Sequence, residues 1–231
     1  MILSVIIPTI RGKDLLKDSL PKLFEAIDLV GVNKKQYEVI IIDNAKNDNT
    51  KVYVYDYPNT TYIASPHNLG FAASINLGID RSSGLFILML NDDCLVERTT
   101  IKQMIEFLQD HPEIYFTQPI IIEGKRPTIG YCVDLQIAKA FPIHKPEMWK
   151  QEQAQTSDAN PFNTHTTLGL SATCLFAKRE VFTKIGKFDE SFHSYLEDIE
   201  FCLRASLREI PYFPTLTATA THLHMQTSKT M

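Results

Sequence analysis

Three short apolar runs in this 231-residue chain end in polar residues that could do chemistry: Ser4-Val-Ile-Ile-Pro-Thr9, Glu38-Val-Ile-Ile-Ile-Asp-Asn44 and Leu88-Met-Leu-Asn-Asp-Asp93. In an open α/β sheet, ligands bind outside the carboxyl ends of the strands, so these endings mark one candidate site. Asp92 and Asp93 are adjacent carboxylates that would repel each other unless a cation sat between them. Carboxylates suit Mg²⁺ or Mn²⁺, ions that keep open positions for phosphate oxygens and can neutralise charge on a leaving diphosphate. The plainer alternative is that Asp and Asn end strands and start turns, and for Asp43 the two readings are balanced. A second acidic cluster, Tyr195-Leu-Glu-Asp-Ile-Glu-Phe-Cys-Leu-Arg204, sits where a helix should begin. Glu197 and Asp198 fall in its first turn, which the helix dipole favours in any case, while Glu200 can pair with Arg204 one turn on. In a catalytic reading, Asp198 is a general base that takes a proton from an attacking hydroxyl. The loop before it, Phe188 to Tyr195, carries aromatics able to pack on a sugar face. Near the end, Thr221-His-Leu-His224 puts two histidines on one face of a strand, where they could complete a metal site begun by Asp93 or serve only in packing.

The elements that must position these groups follow from hydrophobic periodicity. Leu3 to Pro8, Glu38 to Asp43 and Leu85 to Leu90 read as buried parallel strands, with a weaker strand at Tyr62 to Ala64. Helical spacing over Asp14 to Val30 (Leu16, Leu20, Leu23, Ile27) and Thr99 to Leu108 (Ile101, Met104, Ile105, Leu108) supplies covering layers, with Pro21 as a bend. Asn44 to Thr50 reads as a polar turn, and Asn68 to Gly78 as a loop running into a helix. This βαβ alternation predicts a mainly parallel sheet with right-handed connections. Further on, Tyr115 to Ile122 and Tyr131 to Phe141 read as strands, and Pro142 to Thr167 as an insertion or flap. Ala172 to Ala177 follows as a strand, then a short helix after Arg179, a helix from about Leu196 to Leu207, and closing segments Ile210 to Pro214 and Ala218 to His224.

Composition narrows the function class. An apolar fraction of 44% supports a full core, and one compact domain over 1–231 is expected, with a nucleotide-binding half (1–110) and an acceptor or catalytic half (111–231). A net charge of -4 with no block of like charge lacks the footprint of a nucleic-acid binder. No apolar run approaches the ~18 residues of a membrane span. A cytosolic protein is expected, with peripheral work at the inner face of the cell membrane left open. Cys94, Cys132, Cys174 and Cys202 form no CxxC pair and read as reduced packing residues.

Taken in order, the three strand-end motifs, Asn68-Leu-Gly-Phe-Ala-Ala73, Ala172 to Phe182, Gly186-Lys-Phe-Asp-Glu-Ser-Phe192 and Glu197-Asp-Ile-Glu-Phe-Cys-Leu-Arg204 resemble glycosyltransferase family 2, and within it the rhamnosyltransferase-like bacterial members that build surface polysaccharides. The resemblance implies a GT-A fold: a single Rossmann-like, mainly parallel sheet flanked by helices, with a smaller mixed acceptor-side region. It implies a nucleotide-diphospho-sugar donor (UDP- or dTDP-linked), a saccharide or lipid-linked acceptor, Mg²⁺ or Mn²⁺, and inversion at the anomeric carbon. By similarity, Pro8, Thr9 and Asp43 hold base and ribose, with Asn68 and Gly70 nearby. Asp92 contacts ribose or diphosphate, and Asp93 and His222 hold the metal. Asp198 is the base, while Glu197 and Tyr195 meet acceptor or sugar. Asn91 stands at the first position of the family's DXD motif, and Met225 where relatives often carry Gly.

Other classes fit less well. A nucleotidyltransferase would be expected to carry a Gly-rich basic loop where Thr9-Ile-Arg-Gly-Lys13 has one glycine, and the GxGxxG of a dinucleotide oxidoreductase is missing. A sugar-nucleotide-binding module without turnover is the non-enzymatic alternative, against which the joint retention of Asp93 and Asp198 argues.

Overall fold

The computed structural model describes residues 2–46, 48–137, 139–157 and 166–223. Its centre is a six-stranded sheet in the order β3-β2-β1-β4-β12-β6. Strands β1 (Leu3–Thr9), β2 (Tyr37–Asp43), β3 (Thr60–Ala64) and β4 (Phe86–Leu90) are parallel, whereas β12 (Cys174–Lys178) and β6 (Phe116–Thr117) close the edge in antiparallel pairings. The sheet is covered on both faces, which is why β1 is buried at every position and reads as a continuous apolar run.

Alternation along the strands sorts the core into two layers. Leu3, Val5 and Ile7 face α1 (Lys13–Val30) and α4 (Thr100–Asp110) through Leu16, Leu20, Leu23, Ile101 and Met104. Ile6, Ile40 and Met89 face α3 (Gly70–Arg81), α6 (Glu180–Ile185) and α7 (Glu197–Leu207) through Ile75, Val181 and Phe201. Pro21 is carried inside α1, which ends at Gly31 in the left-handed conformation.

Two smaller sheets flank this body. One is mixed, in the order β5-β13-β7-β8, from β5 (Cys94–Val96), β13 (Thr215–His222), β7 (Pro119–Glu123) and β8 (Arg126–Thr128). The other, β10-β9-β11, joins β9 (Gly130–Asp134), β10 (Lys139–Ile143) and β11 (Thr166–Gly169) in antiparallel fashion.

Several local expectations are corrected. The polar stretch after Asp43 turns only at 44–45 and then forms α2 (Asp48–Val54). Tyr115 to Ile122 is split between two sheets at the buried Gln118. Tyr131 to Phe141 is a hairpin, turned by Asp134, whose carboxylate accepts the Gln136 and Ile137 N–H groups. The expected flap after Pro142 contains α5 (Pro146–Ser157), pinned by Trp149, which is only 1% exposed and packs against Tyr212 and Phe213.

Candidate active site

Because β1, β2 and β3 run in register, Thr9 stands beside Asp43 and Asp43 beside Ala64, so the strand ends form one row. The ladder from β1 to β4 stops at Ile6↔Met89. Pro8, buried two residues further on and lacking an N–H, cannot extend it, and the strands part there.

Cross-links hold this rim. The Thr9 hydroxyl donates to Asp92 Oδ2 at 2.6 Å and accepts the Gly12 N–H at 2.8 Å, tying the loop after β1 to the end of β4. Asp43 is fully buried; its carboxylate accepts the Ala45 N–H and the Tyr62 hydroxyl, each at 2.8 Å. It therefore shapes the turn from below. Asn44 accepts the Leu69 N–H and donates to Ser74, bridging β2 to the start of α3. Asn68 accepts the Gly70 N–H at 2.9 Å. Gly70 has φ +78°, and a Cβ there would lie 2.2 Å from the His193 carbonyl oxygen, while the Phe71 N–H donates to that same oxygen. The α3 terminus and the loop before α7 are thus pressed together, and Asn76 reinforces the contact through the Phe188 backbone and the Glu190 carboxylate.

Burial pushes the Asp92 carboxyl up to about 7, the hydrogen bond from Thr9 opposes that rise, and the neighbouring Asp93 adds to it. Asp93 Oδ1 lies 3.1 Å from His222 Nε2, and His222 Nδ1 lies 3.3 Å from Glu123 Oε1. Burial alone would disfavour a charged His222, but the two carboxylates outweigh it and raise the imidazole to about 10. The ring is oriented by β13, where His222 pairs with Cys94 on one side and Glu123 on the other.

Among the described residues no three-ligand metal cluster is assembled. The donor set nonetheless suits an ion that takes further ligands from a diphosphate and water, as Mg²⁺ and Mn²⁺ do. Two ligands at right angles, each ~2.1 Å from one ion, are roughly 3 Å apart, close to the Asp93–His222 separation. A ligating histidine also commonly has its other ring nitrogen against a carboxylate, the position Glu123 holds. His224 lies outside the described residues.

Across the rim, Asp198 Oδ2 accepts the Ala172 N–H at 3.0 Å, and Oδ1 accepts the Ile199 N–H at 2.8 Å. The adjacent Thr173 carbonyl accepts the Asn91 N–H at 3.0 Å. Consecutive residues ahead of β12 therefore fasten the Asn91-Asp92-Asp93 turn and Asp198 to each other. Burial raises the Asp198 carboxyl, against the pull of its backbone donors. Glu197 is only 6% exposed, with Oε2 unpartnered among the described residues; burial and then the Asp198 charge push it up to about 7. It faces the interior, while Tyr195 is 73% exposed. Tyr195 and Leu196 both have positive φ (71° and 72°), an unusual pair for non-glycine residues, and they set the entry of α7. Glu200 and Arg204 form the i, i+4 pair expected from sequence, and Arg204 also donates to the Ile185 and Lys187 carbonyls.

Sequence reasoning missed Glu123. Its signal lies in the chain order, since Glu123 follows Ile120-Ile-Ile122 as Asp43 follows its own apolar run.

The sequence matches the profile of glycosyl transferase family 2 over residues 4–186, and the chain belongs to that family of transferases. It is 24% identical over 184 residues to the low-salt glycan biosynthesis hexosyltransferase Agl10 of Haloferax volcanii, covering 75% of this chain and 54% of the relative. It is 22% identical over 190 residues to an N-acetylglucosaminyl-diphospho-decaprenol L-rhamnosyltransferase of Mycobacterium tuberculosis, covering 72% of this chain and 60% of the relative. The chain thus spans less than two thirds of either. Its fold is that of a mannosyltransferase from Pyrobaculum calidifontis solved with GDP-Man and Mn²⁺, with a TM-score of 0.68 at 15% identity over 98% of this chain and 58% of that one. The expected GT-A fold is therefore observed, with two small sheets added to the central one.

Proposed function

We propose that this chain is an inverting, metal-dependent glycosyltransferase of the rhamnosyltransferase-like branch. It moves a sugar from a UDP- or dTDP-linked donor to a hydroxyl of a saccharide or lipid-linked acceptor in surface polysaccharide synthesis, on the cytoplasmic side of a membrane. The observation that carries the reading is the fastening of the acidic turn at Asn91 and of Asp198 to the adjacent residues Thr173 and Ala172. A donor-side acidic pair and a basic carboxylate are thereby fixed relative to each other, as an in-line displacement needs.

In this reading, Pro8, Thr9, Asp43 and the Asn68-Gly70 turn form the nucleotide floor, and Asp92 contacts ribose or diphosphate. Asp93 and His222 would hold Mn²⁺ or Mg²⁺, with Glu123 orienting the histidine; the mixed nitrogen and oxygen donors favour Mn²⁺. A bound ion of this kind supplies neutralisation of the negative charge on the departing diphosphate. Asp198 takes the proton from the acceptor hydroxyl as its oxygen attacks the anomeric carbon opposite the nucleotide. Its raised affinity for protons brings it nearer the range in which a general base works well. Tyr195, on the strained turn before α7, offers its ring to the acceptor or transferred sugar.

The test is thermal unfolding of the purified protein with UDP, dTDP, GDP and CDP, each with and without Mn²⁺. The reading expects a metal-dependent rise in melting temperature with UDP or dTDP that Asp93→Asn and His222→Ala abolish. No shift with any nucleotide would refute it.

A further inference from the structure

The β9–β10 hairpin and the first turn of α5 carry surface that the proposed reaction does not use. Ile137 in the hairpin turn is 62% exposed, Phe141 on β10 43% and Met148 on α5 44%, and Leu135 beside Ile137 is also exposed. β10 is the edge strand of its sheet and leaves four of its five residues exposed. Phe141 and Met148 line one cavity of about 360 Å³ with Cys132, Asp134, Pro142, Ile143 and Thr166. Single exposed apolar side chains are ordinary; several on one hairpin and the helix beside it, running into a cavity, mark an interaction surface.

Charge indicates the partner. Residues 124–151 hold five basic side chains (Lys125, Arg126, Lys139, Lys145 and Lys150) against two acidic ones (Asp134 and Glu147), in a chain whose net charge is -4. All five are exposed, and Lys139 lies over the Phe141 ring at 5.3 Å. The carboxylate of Asp134 is engaged by the turn's own backbone N–H groups. Exposed apolar side chains together with exposed basic ones are what an anionic bilayer binds: the first enter the acyl boundary, the second meet the headgroups.

We propose that the 135–148 face docks this protein on an anionic lipid bilayer. The inference deepens the proposed function and rests on it in one respect, that a lipid-linked acceptor is met at a membrane. The spacing is compatible. At the base of the hairpin, Tyr131 pairs with Gly169 of β11, and a Cβ on Gly169 would meet both the Tyr131 side chain and that of Ile199, the residue after Asp198. Asp134, at the end of β9, is three residues along the strand, roughly 10 Å away at 3.3 Å per residue, and Leu135 follows it in the turn. A headgroup held at the surface could therefore extend toward Asp198 while its lipid stays in the bilayer.

The experiment is co-sedimentation of the full chain with phosphatidylcholine vesicles with and without phosphatidylglycerol, at low and high salt. Binding is expected only with phosphatidylglycerol and should weaken with salt. Ile137→Ser should weaken it by about tenfold or more, from the burial of one aliphatic side chain, and Lys139→Gln by roughly fivefold, from one lysine near the headgroups. Both side chains are exposed, so unchanged melting temperatures show that the variants fold. Failure of the wild type to sediment with phosphatidylglycerol, or sedimentation unaffected by either variant, overturns the proposal. So does a concentration-dependent dimer that Ile137→Ser dissociates, since the face would then be covered by a second copy. Nucleotide-induced stabilisation is measured on the same samples: its presence without vesicle binding removes the docking face alone, and its absence beside intact vesicle binding removes the donor-site reading alone.

Discussion

Neutralising Glu197 should stabilise the protein, and by an amount that depends on pH. The side chain is 6% exposed, one carboxylate oxygen has no partner among the described residues, and the carboxyl is raised from 4.5 to about 7 by burial and then by the Asp198 charge. A carboxyl whose proton affinity is higher folded than unfolded favours the fold fully below its unfolded value, and that contribution is lost as pH rises through the folded value. The window here is 4.5 to about 7. At 1.36 kcal/mol per unit, the ionised side chain costs about 3 kcal/mol at alkaline pH. Glu197→Gln keeps the shape and cannot ionise. Its urea-unfolding free energy should lie within about 1 kcal/mol of wild type near pH 4.5 and exceed it by about 3 kcal/mol above pH 8. Asp92 is raised in the same direction, so the wild type itself weakens over the window; the difference between variant and wild type at each pH isolates Glu197. In an Asp198→Asn background the gain should shrink, because one cause of the shift is gone. An equal difference at both pH values would refute the reasoning, since it would mean that the charge on Glu197 is solvated.

Gly70→Ala should destabilise by at least about 2 kcal/mol in urea unfolding, because its Cβ meets a backbone oxygen at a positive φ and the loop before α7 must move away. Trp149→Ala should cost about 3–5 kcal/mol by the same assay, whereas a residue in a mobile flap would cost less than ~1 kcal/mol. Thr9→Val strips Asp92 and the Gly12 N–H of their partner. It should cost about 1–3 kcal/mol, more above pH 7 where Asp92 is ionised than below it, and calorimetry should find weaker nucleotide binding.

How far the sequence carried these conclusions depended on the kind of element. The parallel strands were legible because burial on both faces leaves an unbroken β-branched run, and α1 and α4 because one apolar stripe repeats over several turns. α5 was not, because Trp149 is the single buried residue among its described side chains, and one residue has no period. The break at Gln118 was hidden since both flanking pieces are apolar and only their sheet assignments differ. The hairpin at Asp134 turns on a side chain accepting two backbone N–H groups, without the glycine or proline that usually marks a turn. In the site, the strand-end residues and the acidic start of α7 could be read from motif and position. Other features arise only when distant segments meet: the Asp93–His222–Glu123 alignment, the burial of Glu197, and the link through Ala172 and Thr173.

The most direct test of the account is release of nucleotide diphosphate from a panel of UDP-, dTDP- and GDP-sugars in the presence of Mn²⁺ and a saccharide or polyprenyl-diphosphate-linked acceptor, by wild type and by Asp198→Asn. The account predicts acceptor-dependent release by the wild type with one donor class. It predicts a loss of about 10²–10⁴-fold in the variant, with donor binding by thermal shift retained, as removal of a general base requires. Release at the wild-type rate by Asp198→Asn would contradict it.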